Sequence, residues 1–221
     1  MSSPKNPAGQ NLLQQGKIRK LQHKPNFTLP VRIVNERITH DCRPLLPFIT
    51  TDGRFPNVQG CWPIVTRAAQ QPYLAKIDLK KAFHSIPLAD DQIGAYAFEL
   101  EGSYYAYTTM PMGATNAPKH FHGVMGILLS KLPFAHDIRY YQNDIFVAAS
   151  DPQQLKRRYQ QTIDYLAKQN FQINTEKSQL NCTDLLGYTL NNHTLSIPDQ
   201  KWKRVGCASI CRLSSSLWLG S

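Results

Sequence analysis

The sequence IRYYQNDIFVA, residues 138–148, decides the fold class of this chain. Apolar and aromatic residues lie on both sides of Gln142 and Asn143, a pattern that predicts a strand, a tight turn and a second strand. Asp144 belongs to this turn, and we expect the apolar residues that follow it to be buried. The stretch therefore predicts a β-hairpin that carries a carboxylate at its tip.

A second carboxylate follows an apolar strand earlier in the chain. The alternation in residues 74–77 (LAKI) predicts a strand that ends at Asp78. Taken singly, Asp78 and Asp144 have a simpler explanation, because an isolated Asp is more often a turn or cap residue. Enzymes that transfer nucleotides with two metal ions, however, need carboxylates that converge on hard cations. The two strand ends could supply such a pair.

The surrounding pattern predicts an α+β fold. Predicted strands and hairpins cover residues 29–34, 37–40, 96–107 and 171–173, with a further strand at 185–190; predicted helices cover 58–70, 118–132 and the residues after Asp151. This order of strands and helices favours an antiparallel sheet with helices packed on one face.

Composition limits the class of protein. The chain has 221 residues, of which 42% are hydrophobic, and it contains no run of apolar residues long enough to span a membrane. The N-terminus lacks the apolar core of a signal peptide, so we expect no membrane partner and an intracellular location, cytoplasmic or nuclear. The five cysteines are odd in number and scattered, which argues against a disulfide framework or a zinc site.

The charge is concentrated at the two ends of the chain. The formal net charge is +10, and residues 1–40 and 201–221 hold the excess of Lys and Arg. Basic ends fit the electrostatic capture of a phosphate backbone. A solvated basic tail is the alternative explanation, and for residues 1–26 we predict a basic, poorly ordered arm. We expect the main domain to cover residues 27–198, with a divergent tail at 199–221.

Five motifs in order resemble the reverse transcriptases (RNA-directed DNA polymerases) of retroviruses and LTR retrotransposons. The motifs are AKIDLKKAFHSIPL at residues 75–88, MPMGATNAP at 110–118, YQND at 141–144, Lys177, and LGY at 186–188. The resemblance runs from about residue 29 to about residue 198. It implies a right-hand polymerase palm with partial fingers over residues 27–198, and a thumb that is essentially absent, with only a truncated thumb start before the divergent tail at 199–221.

The resemblance assigns roles to the metal and primer sites. It implies that Asp78 and Asp144 bind Mg²⁺ or Mn²⁺ with help from the carbonyl of Leu79. It also implies that Lys177 protonates the departing pyrophosphate, although a solvated lysine explains that residue equally well. The primer grip would consist of Leu186, Gly187 and Tyr188.

The resemblance also assigns the nucleotide site. Phe83 would exclude the 2′-hydroxyl and select dNTP over rNTP, a role compatible with its alternative as a core aromatic. Arg37 would neutralise the triphosphate through its planar fork of donors, but a surface arginine is nearly as good an explanation. Leu79, Met112 and Gly113 would also contact the nucleotide. Gly113 would do so because a glycine lets backbone approach the base pair.

One position departs from the family pattern at the catalytic turn. Asn143 stands where the family has the first aspartate of Tyr-x-Asp-Asp. An amide keeps the shape of the carboxylate but lacks the charge from which hard cations draw much of their binding. We therefore expect the hairpin to form and metal binding to be weakened. The absent thumb is expected to weaken the grip on the duplex in addition.

Three hypotheses follow. The first is an RNA-directed DNA polymerase domain with RNA or DNA template-primer and dNTP as partners, catalytically impaired and separated from its thumb and RNase H domains. The second is a non-enzymatic nucleic-acid-binding or scaffold protein that keeps the palm fold. The third is an RNA-dependent RNA polymerase, against which Phe83 argues because such enzymes accept the 2′-hydroxyl.

Overall fold

The computed structural model describes residues 4–35, 37–48, 61–68, 70–191 and 194–196. Within these ranges lie five α-helices: α1 (Pro7–Gln14), α2 (Cys61–Ala68), α3 (Asp90–Ile93), α4 (Ala117–Leu129) and α5 (Pro152–Lys168). Short 3₁₀ helices cover Arg43–Phe48, Ala82–Ser85, Gly94–Tyr96 and Ala135–Asp137. No helix among these residues is long and apolar enough to cross a membrane.

The described strands are β1 (Ile18–Lys20), β2 (Val31–Val34), β3 (Arg37–His40), β4 (Tyr73–Lys80), β5 (Ala97–Leu100), β6 (Ser103–Tyr107), β7 (Ile138–Tyr141), β8 (Asp144–Ala149), β9 (Gln172–Ile173), β10 (Asp184–Leu185), β11 (Tyr188–Asn191) and β12 (Thr194–Ser196). All their pairings within sheets are antiparallel. The α+β class with antiparallel sheets, predicted from the sequence, is confirmed.

The chain forms two compact units. Unit 1 comprises Met1–Phe55 and Lys81–Gly123, and unit 2 comprises Pro56–Lys80 and Val124–Ser221. Unit 1 contains the sheet β1-β6-β5 and the hairpin β2-β3, whereas unit 2 contains the sheet β7-β8-β4-β9 and the meander β10-β11-β12. The expected division at residues 27 and 198 stays a prediction, and the expected thumb start and tail at 199–221 lie outside the described residues.

The core of unit 1 is aromatic and includes the N-terminal segment. Phe98, Tyr105 and Tyr107 are fully buried and pack with Leu12 of α1 and Ile18 of β1. Asn6 caps α1, since its Oδ1 accepts a hydrogen bond from the backbone N–H of residue 8 at 2.9 Å. The prediction of a poorly ordered arm at residues 1–26 is therefore wrong for α1 and β1. These elements are too short to show periodicity, and burial against the sheet stabilises them.

In unit 2, α5 packs against β4 and β8, and α2 packs against β7 and β8. The predicted N-terminus of α5 is confirmed, because Asp151 Oδ1 accepts a hydrogen bond from Gln154 N at 2.8 Å. The strand predicted at 185–190 is instead two strands, β10 and β11, joined by a turn at Leu186 and Gly187 with φ of 52° and 90°. Left-handed conformations at both positions reverse the chain, and apolar alternation alone does not reveal this.

Candidate functional site

Two carboxylates come together at the centre of the unit 2 sheet. Asp78 of β4 lies directly opposite Asp144 of β8, and Asp144 lies opposite Tyr141 of β7. Residues directly opposite each other in an antiparallel pair project to the same face, with Cβ atoms about 5 Å apart. The structure thus brings together the two Asp residues that the sequence marked as a pair.

Asp78 lies inside its strand, which differs from the sequence prediction. β4 continues past Asp78 to Lys80 because Leu79 and Lys80 pair with Ile173 and Gln172 of β9. Asp78 therefore pairs with β8 on one side and is hydrogen-bonded to Asn174, the residue after β9, on the other, whereas Asp144 is the first residue of β8. A central strand position restricts the Asp78 backbone more firmly than a strand end would.

The turn between β7 and β8 places Asn143 beside β4. The backbone carbonyl of Asn143 accepts a hydrogen bond from Leu79 N at 3.1 Å, which ties the turn to the strand that carries Asp78. Its side-chain Oδ1 is buried and has no hydrogen-bond partner among the described residues. Gln142 adopts φ of 51°, a left-handed conformation that a non-glycine residue rarely takes. The site thus holds a strained turn and an unsatisfied amide oxygen.

A polar turn supports the Asp78 backbone from the other side. Asp78 N donates to Ser178 Oγ at 3.0 Å, and that hydroxyl donates to Asn174 O at 2.7 Å. Asn174 N in turn donates to Asp78 O at 2.8 Å. Lys177 belongs to this turn and its side chain is exposed. The structure therefore brings Lys177 into the segment that supports Asp78, a link that its sequence position does not reveal.

An apolar cluster lies on the same sheet face as the carboxylates. Because side chains alternate along a strand, Leu74, Phe146 and Ala148 share the face of Asp78 and Asp144. These three pack with Val65 of α2 and with Leu185. The primer-grip candidates Leu186 and Tyr188 also pack on the cluster, and Gly187 forms the turn between them. The predicted primer-grip segment is thereby joined to the strands that carry Asp78 and Asp144.

The sequence analysis missed a charged residue that pairs with Asp144 on this face. Lys76 Nζ lies 2.9 Å from Asp144 Oδ1, and the two side chains are 22% and 23% exposed. The signal was present in the alternation of β4, since Lys76 is two residues from Asp78 and must share its face. Which acidic group it would contact depends on the register of β4 with β8, and the sequence does not reveal that register.

The metal-binding character of the site is limited. Asp78, Asp144 and the amide of Asn143 are the oxygen donors at this position, and hard divalent cations prefer carboxylates. In the part of the chain that the structure describes, no group of three or more His, Cys, Asp or Glu side chains is placed to hold a metal. The unpartnered Asn143 oxygen fits a cation ligand, but the donor set carries two negative charges and one of them is paired with Lys76.

The nucleotide-site candidates other than Leu79, which lies on β4 in unit 2, belong to unit 1. Phe83 is half-buried and meets Phe121 edge to face, with ring centroids 5.5 Å apart. It also packs against the buried cluster of Met110, Ala114 and Ala117, so Phe83 contributes to the core of unit 1 as the alternative interpretation expected. Met112 is half-buried in the same segment.

Gly113 occupies a position that excludes a side chain. It adopts φ of 98°, and a Cβ at this position would lie 2.9 Å from the backbone oxygen of His40. The glycine therefore lets the 110–118 segment approach β3 closely. Within unit 1 the segment in contact is the backbone of His40, and the predicted approach of Gly113 to a base pair stays a prediction.

Arg37 is exposed at the start of β3, opposite Val34. Residues before and after Arg37 in the sequence line a cavity of about 290 Å³. They are Arg32, Thr39, His40, Asp41 and Arg43. Arg43 donates to Asp41 through Nε at 2.8 Å, and these hydrogen bonds lower the pKa of Asp41 to about 2. Arg37 does not line this cavity. The arginines among its described lining residues are Arg32 and Arg43, and the sequence analysis assigned a role to neither.

Two buried histidines of unit 1 contact Tyr107. His40 Nε2 lies 3.0 Å from Tyr107 Oη, and the His84 ring stacks on Tyr107 with an interplanar angle of 4°. Burial lowers the pKa of both histidines to about 4, with further lowering of the His40 pKa by His84 and of the His84 pKa by Lys81 and Lys17. Both rings are therefore neutral near pH 7.

A model of the family described as reverse transcriptase (RNA-dependent DNA polymerase) matches residues 15–205. The chain belongs to the reverse transcriptase family. A relative of this reverse transcriptase domain, the retrovirus-related Pol polyprotein from transposon 297 of Drosophila melanogaster, is 28% identical over 178 residues. That alignment covers 77% of this chain and 16% of the polyprotein, so the chain spans a small part of this curated relative.

Solved structures show the same fold. The foamy viral protease-reverse transcriptase dRH in complex with ds DNA superposes with a TM-score of 0.78 at 22% identity, over 95% of this chain and 38% of that chain. The foamy viral protease-reverse transcriptase in complex with RNA/DNA hybrid superposes with a TM-score of 0.70 at 22% identity, over 90% and 27% of the two chains. The palm and fingers fold of a reverse transcriptase, predicted from the sequence, is confirmed.

Proposed function

We propose that this chain is the fingers and palm portion of an RNA-directed DNA polymerase from a retrovirus-like or LTR-retrotransposon Pol protein, with nucleotidyl transfer impaired by Asn143. The observation that carries the proposal is the pairing of Asp78 with Asp144 across β4 and β8, with an amide at the turn beside them. The arrangement has the geometry for two converging carboxylates and lacks the charge of a third.

The proposed cofactor is Mg²⁺ or Mn²⁺, bound more weakly than by a site with three carboxylates. Asp78, Asp144 and the Asn143 amide oxygen would hold it, with the carbonyl of Leu79 as a further ligand. A bound divalent ion supplies neutralisation of triphosphate charge and activation of the primer hydroxyl. Replacing a carboxylate by an amide removes one unit of negative charge from the ligand set, so the affinity falls while the hairpin geometry persists.

The other site residues singled out in the sequence are proposed to bind the nucleotide or assist its transfer. Phe83 would lie under the sugar and exclude the 2′-hydroxyl, and Arg37 would neutralise triphosphate oxygens. Met112 and Gly113 would contact the nucleotide, and Lys177 would donate a proton to the departing pyrophosphate.

The proposed partners are an RNA or DNA template-primer and dNTP. Support comes from the foamy viral structures, one in complex with ds DNA and one with RNA/DNA hybrid, and from the net charge of +10 on this chain. The dNTP partner rests on the resemblance of residues 75–88 and 110–118 to the family motifs. Leu186, Gly187 and Tyr188 are proposed to hold the primer terminus.

The experiment compares primer extension by the native chain and by Asn143→Asp on an RNA template with dNTPs, in Mg²⁺ and in Mn²⁺. We expect the variant to extend primer at least about 100-fold faster, the scale on which one transition-state electrostatic contact changes kcat. Asp78→Asn in the Asn143→Asp background is the matched control and should abolish extension. Equal extension by the native chain and Asn143→Asp would contradict the proposed impairment.

A non-enzymatic nucleic-acid-binding role is the second candidate function. The ion pair between Lys76 and Asp144 favours it, because this pair compensates one carboxylate without a metal ion. One measurement distinguishes the two functions. If Asn143→Asp binds template-primer but extends it in neither metal, binding is the retained function and the polymerase proposal is wrong.

A further inference from the structure

Among the described residues of unit 2, Lys76 forms an ion pair with the candidate metal ligand Asp144. Its ammonium lies 2.9 Å from Asp144 Oδ1, a distance at which the two groups form a charge-assisted hydrogen bond. Lys76 of β4 lies opposite Phe146 of β8. This pair is two residues along each strand from the pair formed by Asp78 and Asp144. The contact is therefore diagonal across β4 and β8, on the face that carries both carboxylates.

The surroundings of this ion pair strengthen it. Both side chains are more than three-quarters buried, and Phe146 beside them belongs to an apolar cluster with Val65 and Leu74. Reduced solvent contact raises the strength of a charge interaction above that of a fully exposed pair, which contributes little. A second negative charge, Asp78, lies directly opposite Asp144. An ammonium at this position therefore offsets the repulsion between the two carboxylates.

We propose that Lys76 is a built-in counter-charge for Asp144 that competes with a divalent cation for this carboxylate. The inference rests on the proposed assignment of Asp78 and Asp144 as metal ligands. The loss of a carboxylate at Asn143 and the ion pair at Asp144 act in the same direction, because each reduces the negative charge offered to a cation. Lys76 is a positioning residue here, since it acts through Asp144.

Position, and not charge alone, distinguishes Lys76. Lys80 lies on the same strand and the same face, also two residues from Asp78, but its side chain is exposed. Among the described residues, Lys80 makes no ion pair with an acidic side chain. Lys80 therefore provides a control with the same chemistry, the same strand and the same sequence separation from Asp78.

The test measures Mn²⁺ affinity by electron paramagnetic resonance for the native chain, Lys76→Met, Lys80→Met and Lys76→Arg. We expect Lys76→Met to bind Mn²⁺ about tenfold more tightly, the low end of the effect of groups that adjoin metal ligands. Lys76→Arg should bind as the native chain does, because the charge remains, and Lys80→Met should change affinity far less. Circular dichroism checks that each variant is folded.

Equal tightening by Lys76→Met and Lys80→Met would overturn the proposal, since the effect would then be one of net charge. A second measurement needs no substitution. Addition of Mg²⁺ should change the ¹⁵N chemical shift of the Lys76 ammonium group, recorded by NMR, and leave that of Lys80 unchanged. An unchanged Lys76 signal at saturation also overturns the proposal.

Mn²⁺ binding by Asn143→Asp and Lys76→Met distinguishes a failure of the lysine proposal from a failure of the proposed function. If Asn143→Asp tightens Mn²⁺ binding and Lys76→Met does not, the lysine proposal is wrong while the assignment of the ligands stands. If neither variant nor their combination binds Mn²⁺ at this site, both proposals are wrong.

Discussion

Gly113 shows how a single residue decides the approach of two segments in unit 1. Its φ of 98° is unfavourable for residues with a side chain, and His40 O would lie 2.9 Å from an added Cβ. Backbone atoms cannot rotate away as the end of a side chain can. The penalty for a larger residue must therefore appear as strain in the 110–118 segment or in β3.

We predict that Gly113→Ala lowers the free energy of unfolding by about 1–3 kcal/mol. Urea unfolding monitored by tryptophan fluorescence and circular dichroism measures it. The matched control is Gly123→Ala on α4, where an added Cβ meets nothing within 4 Å and φ is not positive. That change should be neutral or stabilise by up to about 1 kcal/mol, because Ala favours a helix over Gly. Similar effects of both changes would contradict the account.

The second residue-scale prediction concerns His40 and His84, whose pKa values are about 4 in the folded state, below the ordinary histidine pKa of about 6.5. Because the folded pKa is depressed, the unfolded state binds more protons between these values, so stability is full above pH 6.5 and falls as the pH drops towards 4. The loss is at most about 3 kcal/mol per histidine.

Urea unfolding at several pH values between 7 and 4 tests this dependence. His84→Phe keeps a ring over Tyr107 but removes one titrating group, so the slope of stability against pH should become shallower. His120→Gln changes an exposed histidine on α4. Its slope of stability against pH should equal that of the native chain. An unaltered slope in His84→Phe would show that these histidines do not cause the acid sensitivity.

At the scale of elements, α5 supports the strands that carry both carboxylates, because it packs against β4 and β8. Its first turn depends on Asp151, whose side chain accepts a hydrogen bond from Gln154 N at 2.8 Å. Pro152 follows at the first helical position, where its missing N–H costs nothing. The start of α5 is therefore decided locally, by residues adjacent in sequence.

We predict that Asp151→Ala lowers the free energy of unfolding by about 1 kcal/mol, because one orphan backbone donor loses its partner. Asp151→Ser retains a side-chain oxygen that can accept the same hydrogen bond, and it should restore most of the stability. Chemical denaturation of the three proteins measures the difference. Equal loss in Ala and Ser variants would indicate that the charge, and not the cap, stabilises α5.

At the scale of the whole molecule, the formal charge of +10 predicts salt-dependent binding to nucleic acid. For about six phosphate contacts, the affinity for an RNA/DNA hybrid falls roughly 10³-fold between about 50 and 200 mM salt. Fluorescence anisotropy with a labelled duplex measures this slope. A duplex with a methylphosphonate backbone lacks the phosphate charge and should bind weakly without a comparable slope. A flat response for the natural duplex would exclude electrostatic capture as the main source of affinity.

Much of the architecture could be predicted because its signals are local. The β7-β8 hairpin, the hairpin of β5 and β6, and α5 each carry periodicity and turn or cap residues within one stretch of chain. The short elements α1 and β1 could not be predicted, since burial in the aromatic core of unit 1 stabilises them and their own sequences do not. The turn at Leu186 and Gly187 was likewise hidden inside an apolar run.

By itself, the sequence determined the fold class, the family motifs and the identity of the side chains at the turn between β7 and β8, including the amide of Asn143. Those properties are local, because they depend on neighbouring residues and on covalent chemistry. Only the tertiary structure decided that Asp78 lies within a strand opposite Asp144, that Ser178 supports its backbone and that Lys76 pairs with Asp144. Each depends on strand register, which long-range packing selects and local sequence does not encode.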